Sequence, residues 1–173
     1  PDDVPYEDWE KIQKKKKKLR KQLEKKIRVR PTVVITAKPI ANLIEEKTTI
    51  PTLEDLGFED FKQPNKTAFP FKGGENQAKK RIKDYFWDTK KLVVYKKTRN
   101  GLVGKDYSSK LSAWLANGSI SARMIYWEVQ QFEKKVIKNE DTYWLTFELI
   151  WRDYFKYISL KHGNKIFQLN GIL

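Results

Sequence analysis

Between Tyr95 and Gly118 the sequence YKKTRNGLVGKDYSSKLSAWLANG sets a turn-rich loop, Asn100-Gly101 and then Gly104, against the hydroxyls of Ser108, Ser109 and Ser112. Those hydroxyls open a short predicted helix that stops at Gly118. A helix start presents unsatisfied N–H groups and the positive end of the helix dipole. Serines beside it therefore suit a phosphate, with Lys105 and Lys110 adding charge. A serine N-cap with no ligand is the competing reading, because serine is preferred there for capping alone. A second group lies farther on: Glu148, Trp151, Arg152 and Phe155 follow i, i+3, i+4, i+7, so one helical face can present an acid, a ring and a guanidinium. A ring there can stack on an unpaired base, worth about 1–3 kcal/mol. Packing of Trp151 with Trp144, Phe147 and Tyr154 into a core is the alternative.

The third group is a run of cations. Lys14, Lys15, Lys16, Lys17 and Lys18 are unbroken, and Arg20, Lys21, Lys25, Lys26, Arg28 and Arg30 follow. From Lys11 to Lys38 thirteen Lys or Arg face Glu24 alone, so +12 of the chain's net +14 sits in this arm. Trp9, Ile12, Leu19, Leu23 and Ile27 give it a thin apolar stripe at helical spacing, too narrow to hold a helix without a partner. Such an arm suits a polyphosphate, which it binds by releasing counterions and hence in a salt-dependent way. A tail that only aids solubility is the other reading.

Other chemistries find little footing. The 173 residues contain no cysteine, so no thiolate metal site or disulfide can form, and the one histidine, His162, lies beside Gly163 at a helix end, where it reads as a dipole contact rather than part of a Ser-His-Asp set. No catalytic residue and no metal ligand is expected. No apolar run approaches the roughly 20 residues that cross a bilayer, and no membrane partner is expected. The chain opens on Pro1 and its only methionine is Met124, so a preceding segment is expected.

The elements that must position these groups read as helices. Residues 31–39, PTVVITAKP, are extended between prolines, and a short helix runs from Pro51 or Thr52 to Gly57. After a loop ending at Gly73-Gly74, Ala78, Ile82, Tyr85 and Phe86 share one helical face, and 93–99 continues as helix or turn. Ser121 caps a helix with Ile125, Val129, Phe132 and Val136 inward. Asp141 or Thr142 caps the longest helix, which runs to about Lys161 and ends at Gly163. The fold class is all-α.

With the loop, the blocks FPFKGGENQAKKRI (69–82), ISARMIYWEV (120–129) and TYWLTFELIWRDYF (142–155) resemble, in order, the photolyase/cryptochrome family, most of all its DASH cryptochrome branch. The resemblance covers about residues 50–173 and implies a truncated FAD-binding helical domain at 51–173, preceded by a basic extension at 1–50 that has no recognised counterpart in the family. It implies that Tyr95, Ser108, Ser109, Lys110, Leu111 and Ser112 hold the phosphate and ribityl parts of FAD. It also puts Arg152 toward the flavin, and Glu148 and Trp151 toward a damaged base. The family's usual prolines are replaced by Ala113 and Ala122, and its later flavin-side asparagine, acidic pair and electron-passing tryptophans have no match here. The expectation is therefore a non-enzymatic protein with FAD possible but not bound. Its partners would be RNA (ribosomal RNA above all) and the proteins of a large ribonucleoprotein such as a mitochondrial ribosome, with DNA accommodated. The alternative is a flavin-binding photolyase or photoreceptor fragment.

Overall fold

The computed structural model describes residues 18, 28–33, 49–59 and 67–172. Lys14–Lys17, Arg20, Lys21, Lys25, Lys26, the apolar stripe of the arm and the rest of the 31–39 reading lie outside these residues; Lys18, Arg28 and Arg30 are exposed. The chain divides into two units, Pro1–Pro31 and Thr32–Leu173. The second unit is all-helical among its described residues, in line with the expected class.

Helix α1, Glu75–Ile82, starts where Gly74 takes a φ of 90°, a value that needs glycine. It continues into a wider π-helical turn, Lys83–Asp88, and the two together bury Ala78, Ile82, Tyr85 and Phe86, the shared face read from spacing. A 3₁₀ turn, Lys91–Val94, leads into α2, Tyr95–Thr98. Next come α3, Ser112–Ala116, α4, Ala122–Lys135, and α5, Glu140–His162, followed by a 3₁₀ turn at Gly163–Phe167. Phe132 of α4 meets Phe86 at 6.3 Å and Trp87 at 5.4 Å, while Trp114 of α3 meets Phe69 and Phe71 at 5.2 and 5.7 Å. Phe86, Phe132 and Trp114, fully buried, contribute about 1.5–3 kcal/mol each, and the half-buried Phe69, Phe71 and Trp87 pack against them. They fix α1, α3 and α4 around one core.

Several boundaries differ from the sequence reading. Residues 53–57 form one turn, closed by reciprocal Thr52–Asp55 hydrogen bonds of 2.8 and 3.2 Å, rather than a helix. Ser121 caps α4 as expected, accepting from the Met124 N–H at 3.1 Å, but α4 ends at Lys135 and leaves Val136 exposed. The cap of α5 is Asn139, not Asp141 or Thr142. Thr142 fills the third position of a capping box, where its hydroxyl accepts from the Asn139 N–H. The first half of α5 buries Leu145 and Leu149, whereas Trp151, Tyr154, Phe155, Tyr157 and Leu160 on its second half are exposed. No described helix is long and apolar enough to cross a membrane.

Candidate functional site

The loop from Lys105 to Lys110 owes its shape to a residue that spacing alone did not single out. Arg81 lies on α1 three residues after Ala78 and four before Tyr85, so the helix turns it inward with them; it is 2% exposed. All five of its N–H donors are engaged. Nε donates to the Ser109 carbonyl at 3.2 Å, and one terminal nitrogen donates to the Lys105 and Ser108 carbonyls at 3.0 and 3.1 Å. The other donates to Asp84 at 2.7 Å and to Asp106 at 3.1 Å. Phe71 and Tyr85 sandwich the guanidinium, each ring centre 4.8 Å away. A buried cation needs such pairing, since unpaired it would cost several kcal/mol. The available signal was its position on the buried face of an otherwise lysine-rich stretch.

Asp106 joins this centre to Lys91, which donates to it at 2.5 Å. Burial raises the Asp106 carboxyl, but hydrogen bonds and charge from Lys91 and Arg81 outweigh that and hold it below the ordinary carboxylate range. Gly101 closes the loop's other end: an added Cβ would meet the Tyr107 Cβ at 2.9 Å, so only glycine fits.

The expected phosphate residues converge here, with one correction. Tyr95, Ser109 and Leu111 are buried, Ser108 and Lys110 are half-buried, and Ser112 is exposed. No serine caps α3: Leu111 is its N-cap residue, no side chain bonds its first turn, and the helix has only five residues. Ser108 and Ser109 lie in the loop before it and Ser112 is its exposed first residue, so helix-start chemistry does not make this site. Its donors are loop groups. Lys110 adopts a left-handed φ of 61° and folds its ammonium over the Tyr107 ring at 3.6 Å. Burial, then the charge of Glu148, pushes the Tyr95 hydroxyl up, against the Arg99 cation and hydrogen bonding with Arg99 and Ser109.

Helix α5 is fastened beside Tyr95 by polar bonds. Asn139 donates to the Val93 carbonyl at 3.0 Å, Asp141 accepts from the Lys97 N–H at 3.3 Å, and Lys96 pairs with Glu140. Arg99 pairs with Glu148, which places that carboxylate next to Tyr95. Trp151, 37% exposed, stacks on Phe155 with centroids 5.5 Å apart and meets Phe147 and Tyr154 edge-on. Arg152 bonds its neighbour Asp153 at 3.2 Å. Spacing put Glu148 and Arg152 together; the ion pair with Arg99 separates their roles. Among the described residues no group of side chains suits a metal ion.

No protein-family model matches the chain. Cryptochrome DASH of Gloeobacter violaceus is 45% identical over 172 residues, 99% of this chain and 34% of the relative. The chloroplastic/mitochondrial cryptochrome DASH of Oryza sativa is 54% identical over 123 residues, 71% of this chain and 21% of the relative. Among solved structures, a cryptochrome of Synechocystis superposes with a TM-score of 0.68 and 44% identity, covering 75% of this chain and 26% of that one. The chain thus spans about a third of the Gloeobacter relative's length. These matches overturn the expectation of a ribosomal or RNA-binding structural subunit. Its premises were the truncation and a basic extension foreign to the family, yet the 172-residue match is 99% of this chain and so takes in nearly all of residues 1–50, and the relatives it identifies are cryptochromes. The chain belongs to the photolyase/cryptochrome family, in its cryptochrome DASH branch.

Proposed function

We propose that this chain is the flavin-phosphate part of the helical domain of an FAD-dependent cryptochrome DASH, acting in light-driven DNA repair or photoreception. One observation carries the reading: the loop Lys105–Lys110, keyed to FAD by resemblance, is held in a single shape by the saturated Arg81 centre. The donor set fits a pyrophosphate. It offers loop amides, the hydroxyls of Ser108, Ser109 and Tyr95, and the Lys110 ammonium. Its two nearby carboxylates do not oppose an anion, because Asp106 is neutralised by Arg81 and Lys91, and Glu148 by Arg99. When bound, FAD supplies light absorption and electron transfer; the residues here bind and orient it.

DNA is the macromolecular partner in this reading. Trp151 offers a half-open ring for an unpaired base, and Lys14–Lys18, Arg20, Lys21, Lys25, Lys26, Arg28 and Arg30 supply charge for phosphates. An organellar location fits the plant relatives named chloroplastic/mitochondrial, which favour neither organelle over the other.

The test is the absorption spectrum of the full-length protein after reconstitution with FAD. Oxidised-flavin bands near one equivalent per chain are expected. A protein that stays colourless at saturating FAD refutes the reading.

A further inference from the structure

A buried arginine with every donor engaged need not do more than hold a core. What sets Arg81 apart is which groups it holds. Three of its five acceptors are backbone carbonyls from one short stretch, Lys105, Ser108 and Ser109. In a trans peptide the carbonyl of one residue and the N–H of the next point in opposite directions. Drawing those carbonyls toward the guanidinium therefore turns the N–H groups of Asp106, Ser109 and Lys110 away from it. The left-handed φ of 61° at Lys110 carries the turn on, the backbone pattern that lets successive amides converge on an anion. Among the described residues no acceptor takes the Ser109 or Lys110 N–H.

We propose that Arg81 is the positioning residue of the phosphate site: from behind the loop it aims the Ser109 and Lys110 amides at the pyrophosphate of a dinucleotide. The inference rests on the flavin reading above and names the part of the cofactor the site selects. Arginine is required because its planar fork reaches three carbonyls and two carboxylates at fixed angles; lysine keeps the charge and loses the fork. Asp84 and Asp106 complete the device by compensating the buried cation. Phosphate grip and flavin-ring grip thereby become separable, since Arg81 governs only the first.

The test measures binding of FAD, and of riboflavin, which lacks the phosphates, to the full-length protein. Arg81→Lys is expected to weaken FAD about tenfold or more, the effect of losing one or two well-aimed amide–phosphate bonds, and to leave riboflavin within about twofold. Equal weakening of both ligands, or of neither, in a folded variant overturns the proposal. Should Arg81→Lys fail to fold, Asp106→Asn removes one anchor from a half-buried position, and an unchanged FAD-to-riboflavin ratio there overturns it as well. A wild-type protein that binds neither flavin refutes the flavin reading instead. Inorganic pyrophosphate then decides the positioning role, because its affinity must still fall in the same variants.

Discussion

Replacing Asn139 with alanine tests how the helix bearing Glu148 and Trp151 is set against Tyr95. This side chain does two separable things. Its Oδ1 accepts from the Thr142 N–H at 2.8 Å, capping α5, while its Nδ2 donates to the Val93 carbonyl at 3.0 Å, two residues before Tyr95. Loss of an N-cap costs about 1 kcal/mol. The half-buried Val93 carbonyl, left without its donor, adds about 1 kcal/mol. Asn139→Ala is thus expected to cost about 2 kcal/mol, the two contributions being independent bonds. Asn139→Ser keeps a capping acceptor and, having no second arm, loses only the bond to Val93, for about 1 kcal/mol. Urea unfolding followed by far-UV circular dichroism reads both, provided the slope against denaturant is shared with the wild type. Equal losses in the two variants, or a loss below about 0.5 kcal/mol for Asn139→Ala, would refute the reasoning, since surface changes already span that range.

Three further outcomes follow from the same structure. Phe132→Ala, which empties the contact with Phe86 and Trp87, is expected to cost about 3–5 kcal/mol in the urea midpoint; under about 1 kcal/mol would mean the core collapses to fill the space. The Asp106 carboxyl is held below its ordinary pKa of 3.8, so its stabilising contribution is present above that pH and is lost as acid carries the pH down through the lower folded value. Asp106→Asn should therefore flatten the acid limb of the stability–pH curve, and identical limbs in variant and wild type would remove Asp106 from the account. Trp151→Ala is expected to weaken binding of single-stranded DNA by about 1–3 kcal/mol while leaving bound FAD unchanged; undiminished DNA affinity would assign the ring to packing alone.

How much of this was legible in the residues varies with the range of the interaction. Helical spacing marked Ala78, Ile82, Tyr85 and Phe86, and again Ile125, Val129, Phe132 and Val136, as inward faces. Seven of the eight are buried, because a helix repeats its faces every three to four residues, and Val136 is exposed because α4 has ended before it. The Ser121 cap was legible for the same reason: its partner is three residues away. The cap of α5 was not, because Asn139, Asp141 and Thr142 all suit the position, and the choice falls to Asn139, whose amide also reaches Val93, 46 residues back. Spacing put Glu148 and Arg152 on one face, but it could not show that Arg99, just after α2, would pair with Glu148 from 49 residues back. Arg81 is the sharpest case. In a stretch reading KKRIK it resembles any solvated cation, and four of its five acceptors lie 24 to 28 residues away. The sequence alone determined which faces turn inward and which family the words belong to. Only the tertiary structure decided which polar groups those faces would meet, because a guanidinium can be buried only where distant carbonyls and carboxylates are brought to its five donors at once.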